Sequence, residues 1–117
     1  NDGSAALLIG NEYAAKKNSL TPMVKILGAA VAGVEPRIMG IGPVEATKKV
    51  LRRTGLLLDQ MDIIEINEAF SAQSLACIRA LKLEDNDPRI IFLQTSVETN
   101  TWLENCRHVF KQKTGSK

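Results

Sequence analysis

The alternation of short apolar runs with clear helix boundaries strongly limits how this chain can fold. Gly42-Pro43-Val44-Glu45 predicts the start of a helix, because proline at the first helical position loses no hydrogen bond and Glu45 complements the helix dipole. Gly55 predicts the end of the same helix, since glycine readily adopts the left-handed conformation that terminates helices. Lys48, Lys49, Arg52 and Arg53 crowd its last turns, where cations are favoured.

Apolar runs before and after this helix predict buried strands over residues 5–9, 23–34 and 63–66. Within the second run, Gly28 and Gly33 are expected at bends or close backbone approaches. Residues 35–41 are predicted to form a loop.

Two more helices complete the alternation. Asn11 is a good N-cap for a short helix that ends before Pro22, and residues 69–83 form the last helix. Four apolar residues are expected on the inner face of that last helix: Phe70, Leu75, Ile78 and Leu81. The order strand–helix–strand–helix–strand–helix over residues 5–83 indicates an α/β fold with mostly buried strands.

Composition excludes several classes of protein. The 117 residues are 44% hydrophobic and 24% charged, as in ordinary globular domains, which excludes collagen-like, low-complexity and disulfide-dense chains. The net charge of +2 and the balance of 11 basic and 11 acidic side chains in residues 1–90 give no basic stripe for nucleic acid. No uncharged run approaches the length of a membrane span, so neither a membrane nor a nucleic acid is an expected partner.

The two cysteines, Cys77 and Cys106, form no CxxC pair, and no export signal is recognisable. These features favour a reducing compartment, for which we expect the cytoplasm, although a Cys77–Cys106 disulfide stays open. Cys106 and His108 are too few ligands for a metal, so no metal is expected. Gly40-Ile41-Gly42 lacks the remaining spacing of a dinucleotide-binding motif, and no cofactor is expected.

Three sequence segments resemble one family. They are Asn1-Asp2-Gly3-Ser4-Ala5-Ala6, then Ala30-Val31-Ala32-Gly33-Val34-Glu35-Pro36-Arg37-Ile38-Met39-Gly40-Ile41-Gly42-Pro43, and finally Glu65-Ile66-Asn67-Glu68-Ala69-Phe70. Their residues, order and spacing are similar to those of the thiolases, the acyl-CoA C-acyltransferases. The similarity covers about three quarters of the chain and is nearest to bacterial-type acetyl-CoA acetyltransferases and 3-ketoacyl-CoA thiolases.

This resemblance implies a partial thiolase fold and a chemistry. Thiolases have two similar α/β domains and a loop domain, work as dimers or tetramers, and use coenzyme A as a substrate. They cleave a 3-ketoacyl-CoA with coenzyme A, or condense two acetyl-CoA, through a nucleophilic cysteine, a GHP histidine and a CxGGG cysteine. None of these three motifs is found in the 117 residues, so we expect an internal fragment that is inactive alone. Its expected partners are an acyl-CoA and the rest of the thiolase subunit.

The resemblance also implies a division of the chain. Residues 1–22 are expected to end the N-terminal thiolase domain, and residues 23–88 to form the first half of the C-terminal domain. Residues 89–117 are expected to be a divergent, irregular tail, although residues 90–97 also fit a strand. A shifted reading frame, mis-splicing or an assembly error would explain the tail.

Asn67 is the strongest candidate for a functional residue, because it follows a predicted strand at the end where α/β folds bind ligands. The resemblance implies that it holds a water that stabilises an oxyanion, a task for which a neutral amide donor is suited. The residue type alone favours a different role, the N-cap of the following helix.

Three more residues carry expectations from the resemblance. Met39 and Phe70 are expected to line the acyl pocket, although simple packing explains either residue type as well. Glu68 is a supporting residue or, more simply, a first-turn acid of the helix. The basic end of the preceding helix would meet a coenzyme A phosphate or, more simply, solvent.

Two alternatives to a thiolase fragment remain. One is a non-catalytic truncated product that associates with thiolase subunits. The other is an unrelated α/β binding module.

Overall fold

The structure is a computed structural model that describes residue 4 and residues 6–93. Its elements in chain order are helix α1 (Glu12–Lys17), 3-10 helix η1 (Pro36–Ile41), helix α2 (Gly42–Thr54), 3-10 helix η2 (Leu58–Gln60), strand β1 (Ile64–Asn67), helix α3 (Ser71–Ala80) and strand β2 (Ile90–Leu93). The expectations for Cys106, for His108 and for residues 94–117 of the tail lie outside the described residues.

A β–α–β unit forms the C-terminal half of this region. β1 and β2 pair in parallel, with Ile64 opposite Ile90 and Asn67 opposite Leu93. Parallel neighbours need a long crossover, and α3 provides it. Since parallel strands end at the same edge, Asn67 lies at the carboxyl edge of the sheet, as the sequence predicts.

The helix predicted after Gly42-Pro43 is confirmed as α2. Pro43 lies in its first turn with Glu45, and Gly55 ends the helix with a φ of 69°. Only glycine adopts such a left-handed conformation without strain. Val44, on the inner face of α2, is 2% exposed and joins Cys77, Ile78 and Leu83 in a small apolar core.

The N-cap prediction at Asn11 is also confirmed. The Asn11 side chain accepts a hydrogen bond of 2.8 Å from the backbone N–H of Ala14, and α1 ends at Lys17. Because α1 buries none of its residues, the cap and the Glu12–Lys16 ion pair, rather than packing, support this short helix.

The prediction of strands over residues 5–9 and 23–34 is wrong for the described parts of both segments. These residues have no regular secondary structure and pair with no strand. A strand requires a hydrogen-bonded neighbour, and the two-stranded sheet does not reach them. Leu7 and Leu8 are more than 85% exposed, which contradicts their predicted burial.

Residues 25–34 are nevertheless not helical, and α2 holds part of this segment in place. Lys49 Nζ donates a hydrogen bond of 3.1 Å to the Val31 carbonyl, and Arg53 Nη1 donates one of 3.1 Å to the Ala29 carbonyl. A Cβ at Gly28 would lie 2.7 Å from Thr54 Cγ2, so the close approach predicted there is confirmed. Gly33 has no such neighbour.

Two further boundaries differ from the sequence prediction. α3 covers Ser71–Ala80 rather than residues 69–83, so Phe70 precedes the helix and is 71% exposed instead of facing the core. Ile90–Leu93 form β2, which fits the strand predicted from residue 90 and contradicts an irregular tail over these four residues.

Candidate functional site

A cavity of about 480 Å³ opens beside the carboxyl end of β1. Its wall includes Met39 and Gly40 from η1, Asn67 from β1, Phe70 from the β1–α3 connection, and Gln73 and Cys77 from α3. The structure therefore brings together three of the four residues predicted for the site, namely Met39, Asn67 and Phe70. Glu68, the fourth, is not part of this wall.

Asn67 is not used as a helix cap. The N-cap position of α3 is Phe70, and only the backbone carbonyl of Asn67 is engaged locally, by a 3.1 Å hydrogen bond from the Ala69 N–H. Within the described residues, the Asn67 side chain is exposed and makes no hydrogen bond. The cap interpretation is therefore wrong, and the amide remains available to a ligand or a water.

Met39 and Phe70 border the cavity from two different segments. Met39 is 75% exposed and Phe70 is 71% exposed, so neither packs into the core of the described region. Packing alone therefore does not account for them here. An exposed thioether and an exposed aromatic ring beside a polar amide form an apolar wall suited to an acyl group.

Glu68 is not a first-turn acid either. α3 begins three residues later, at Ser71, and its first turn contains no acidic residue. The expectation rested on the longer predicted helix, which would have placed Glu68 next to its positive end.

The basic end of α2 is partly engaged within the chain. Lys48 forms a 2.9 Å ion pair with Glu45, while Lys49 and Arg53 hold backbone carbonyls of the extended segment. The Lys48 contact lowers the pKa of the Glu45 carboxyl. These bonds favour a structural role for Lys49 and Arg53 over phosphate binding.

A polar cluster in the cavity wall was missed by the sequence analysis. Gln73 Nε2 donates a 3.2 Å hydrogen bond to the Gly40 carbonyl, and Cys77 Sγ donates a 3.3 Å hydrogen bond to the same oxygen. Burial raises the pKa of the Cys77 thiol, so this cysteine is a poor nucleophile. The spacing of Gln73 and Cys77 by four residues was the available signal, because such residues share a helix face.

The described region contains neither a candidate metal site nor a candidate membrane-spanning helix. No cluster of three or more His, Cys, Asp and Glu side chains is arranged to hold a metal ion. Among the helices between residues 6 and 93, none has the length and apolar character to cross a membrane.

Most of the chain matches one protein family. The family described as "Thiolase, C-terminal domain" matches residues 20–95. The match includes residues 89–95, which the sequence analysis assigned to the divergent tail.

Curated relatives agree with this match. The chain is 52% identical over 90 residues to beta-ketoadipyl-CoA thiolase of Pseudomonas aeruginosa, covering 77% of the chain and 22% of the relative. It is also 52% identical over 89 residues to 3-ketoacyl-CoA thiolase of Colwellia psychrerythraea, covering 76% and 23%. The chain thus spans somewhat more than one fifth of the length of these relatives.

Solved structures show the same similarity in three dimensions. Acetyl-CoA acetyltransferase of Bacillus anthracis matches with a TM-score of 0.63 and 44% identity, covering 68% of this chain and 20% of that one. Human mitochondrial 3-ketoacyl-CoA thiolase in complex with CoA matches with a TM-score of 0.62 and 47% identity, covering 65% and 19%. Because the family match includes well over half of the residues and the described region adopts part of the same α/β fold, this chain belongs to the thiolase family.

Proposed function

We propose that this chain forms part of the acyl-binding site of an acyl-CoA C-acyltransferase, which cleaves 3-ketoacyl-CoA with coenzyme A or condenses two acetyl-CoA. The observation that carries the proposal is the uncommitted side chain of Asn67, at the carboxyl edge of the sheet and in one cavity wall with Met39 and Phe70. The thiolase structure solved with CoA supports an acyl-CoA as the ligand.

Each of these residues has a role in the proposal. The Asn67 amide donates a hydrogen bond to a water that faces the thioester or enolate oxygen, where negative charge develops in the reaction. Met39 and Phe70 provide apolar contact to the acyl group, and Glu68 supports the segment between β1 and α3. Coenzyme A acts as a substrate, and no further cofactor is required.

Acetoacetyl-CoA binding tests this proposal directly. In isothermal titration, Asn67→Ala is expected to weaken binding by about threefold to tenfold, the effect of one lost hydrogen bond. Asn18→Ala is the matched control, because Asn18 Nδ2 donates to the Ala14 carbonyl at the end of α1, away from the cavity wall. Equal affinities of the two variants would contradict the proposal.

We also propose that the 117 residues alone do not turn over acetoacetyl-CoA. The sequence contains neither a GHP nor a CxGGG motif, and Cys77 is buried with a raised pKa. One oxyanion donor contributes about two to three orders of magnitude in rate, whereas enzymes provide about six or more. Turnover that depends on coenzyme A and is lost in Asn67→Ala would refute this expectation.

A second candidate function is association with other parts of a thiolase subunit or with thiolase oligomers. Exposed apolar side chains in residues 7–9 and 23–31 favour it, because isolated domains rarely expose such contiguous apolar surface. Co-expression with a thiolase chain that lacks the equivalent segment, followed by co-purification, tests this function. Recovery of the two chains only as separate species counts against it.

We place the division between the two thiolase domains at residues 22 and 23, near the start of the family match at residue 20. Among the described residues the buried thiol of Cys77 forms no disulfide, which supports a reducing compartment, for which we propose the cytoplasm.

A further inference from the structure

We propose that Gln73 is a positioning residue of the acyl pocket, whose side-chain amide fixes the Gly40 carbonyl and thereby places the Met39 wall relative to Asn67. The nature of the pocket's ligand rests on the proposed function, whereas the arrangement of the wall rests on the contacts of the chain alone.

Two donors from successive turns of α3 converge on a single backbone oxygen. Gln73 Nε2 and Cys77 Sγ lie 3.2 and 3.3 Å from the Gly40 carbonyl. A carbonyl oxygen has two lone pairs, so both donors can be accepted at once. The end of η1 is thus tied to α3 at one defined point.

The backbone at Gly40 also lies directly against the Gln73 side chain. A Cβ at position 40 would be 2.8 Å from Gln73 Cγ, closer than real side-chain contacts. The absence of a side chain at Gly40 therefore allows η1 to approach α3 closely enough for the hydrogen bond to form.

The orientation of the Gln73 amide distinguishes positioning from simple packing. Because the Gly40 oxygen only accepts hydrogen bonds, the amide must present Nε2 to it. Gln73 Oε1 is then buried without a hydrogen-bond partner among the described residues. An unpaired buried acceptor is unfavourable, and a methionine would fill similar space without it. Methionine would lack the hydrogen bond from Nε2 to the Gly40 carbonyl and the longer one, at 3.8 Å, from Nε2 to Cys77 Sγ.

This link joins the two sides of the cavity. Met39 immediately precedes Gly40 on η1, and Asn67 and Phe70 lie on the segment that leads into α3. Loss of the link would let Met39 move relative to Asn67, which changes the width of the pocket without removing any of its lining groups.

Nuclear magnetic resonance of Gln73→Met tests the positioning role without a ligand. We expect the Gly40 amide signal and the Met39 methyl signal to shift. The control Gln60→Met removes the 2.8 Å hydrogen bond that the Leu57 N–H donates to Gln60 Oε1 at the start of η2, and both signals should stay in place. Unchanged Gly40 and Met39 signals in a folded Gln73→Met chain overturn the proposal.

A second variant separates the hydrogen bond from the shape of the side chain. In Gln73→Glu, a protonated carboxyl group can donate to Gly40, whereas the carboxylate cannot. The Gly40 and Met39 signals should therefore resemble those of the unsubstituted chain at acidic pH and those of Gln73→Met at neutral pH. The unsubstituted chain, which keeps Glu65 and Cys77 in the same wall, is measured at both pH values as the control. Signals independent of this ionisation would leave only shape as the cause and overturn the proposal.

Ligand binding links the positioning role to function. Gln73→Met should weaken acetoacetyl-CoA binding by about threefold to tenfold, and Gln60→Met should not. An unchanged affinity in Gln73→Met overturns the positioning role. Failure of the unsubstituted chain to bind acetoacetyl-CoA overturns the proposed function instead, and the Gly40 and Met39 signals then decide the role of Gln73.

Discussion

At the scale of single residues, Gly40 shows how a missing side chain shapes the cavity wall. Gly40→Ala would place a Cβ 2.8 Å from Gln73 Cγ, so the two segments must move apart. We expect a loss of about 1–3 kcal/mol in the free energy of unfolding, as for other overpacked sites. Denaturant titration of Gly40→Ala and of the unsubstituted chain measures the difference in the free energy of unfolding.

The matched control for this substitution is Gly33→Ala. A Cβ at Gly33 has no neighbour within 4 Å, so its effect should stay within about 1 kcal/mol and can be stabilising through the unfolded state. Equal destabilisation by the two substitutions would show that the contact with Gln73 has no energetic consequence.

The Asp87 carboxylate is paired with the guanidinium group of Arg89. Arg89 donates to both carboxylate oxygens of Asp87, at 2.6 and 2.9 Å, and lowers its pKa from 3.8 to about 2. A lowered pKa means that the folded state favours the ionised form. The resulting stabilisation is present above pH 4 and is lost as the pH falls from about 4 to about 2.

Carboxyl titration by nuclear magnetic resonance measures the Asp87 pKa directly. Stability measured over the same pH range should fall less steeply in Asp87→Asn than in the unsubstituted chain. Arg89 also donates to the Leu58 and Met61 carbonyls, so its pairing with Asp87 helps to orient the contact between η2 and the start of β2. An Asp87 pKa near 3.8 would contradict this pairing.

At the scale of elements, α2 holds the extended segment through two cations on one face. Lys49→Met combined with Arg53→Met removes the hydrogen bonds to the Val31 and Ala29 carbonyls. We expect the nuclear Overhauser effect between Gly28 Hα and the Thr54 methyl group to weaken, because nothing else polar ties the segment to α2 within the described residues. The same spectra report whether α2 itself remains folded.

The control pair is Lys48→Met with Arg52→Met, which removes the same charge from the same helix. Lys48 contacts Glu45 rather than the extended segment, so the nuclear Overhauser effect between Gly28 and Thr54 should persist. Equal weakening in both pairs would assign the contact to the overall charge of α2 and not to these two bonds.

Local signals predicted some elements well and others poorly. The start and end of α2 were predicted because Pro43 and Gly55 act through their own backbone geometry. Asn67 was correctly predicted to end a strand, because the apolar run before it finds a pairing partner within the chain, strand β2. The strand predicted over residues 23–34 does not form, since a strand depends on a hydrogen-bonded neighbour that an apolar pattern alone does not provide.

The site was predicted only in part for a related reason. Asn67, Met39 and Phe70, which line one cavity, were named as candidates because their motifs carry the family resemblance. The Gln73–Gly40 contact joins residues 33 positions apart, and no local propensity encodes such a distance. The first turn of α3 was misplaced because Asn67-Glu68 resembles a helix start, whereas Phe70 occupies the N-cap position.

At the scale of the whole molecule, the exposed apolar side chains are the dominant feature. Met23 is 89% exposed, Ile26 is 64% exposed and Val31 is 82% exposed, and all three lie on one extended segment. The chain spans about one fifth of the length of its curated relatives, and the described region does not cover these apolar side chains. Such a surface in water favours association.

We therefore expect the isolated chain to associate increasingly as its concentration rises, which sedimentation velocity measures. Met23→Lys combined with Ile26→Lys should reduce association, because two charges on the segment oppose the burial of its apolar surface. Tyr13→Lys is the control: Tyr13 is also 72% exposed, but it lies on α1 away from the segment, and its replacement should leave association unchanged. A chain that sediments as a monomer at every concentration would show that its exposed apolar residues are tolerated in water, and association with thiolase chains would then lose its physical basis.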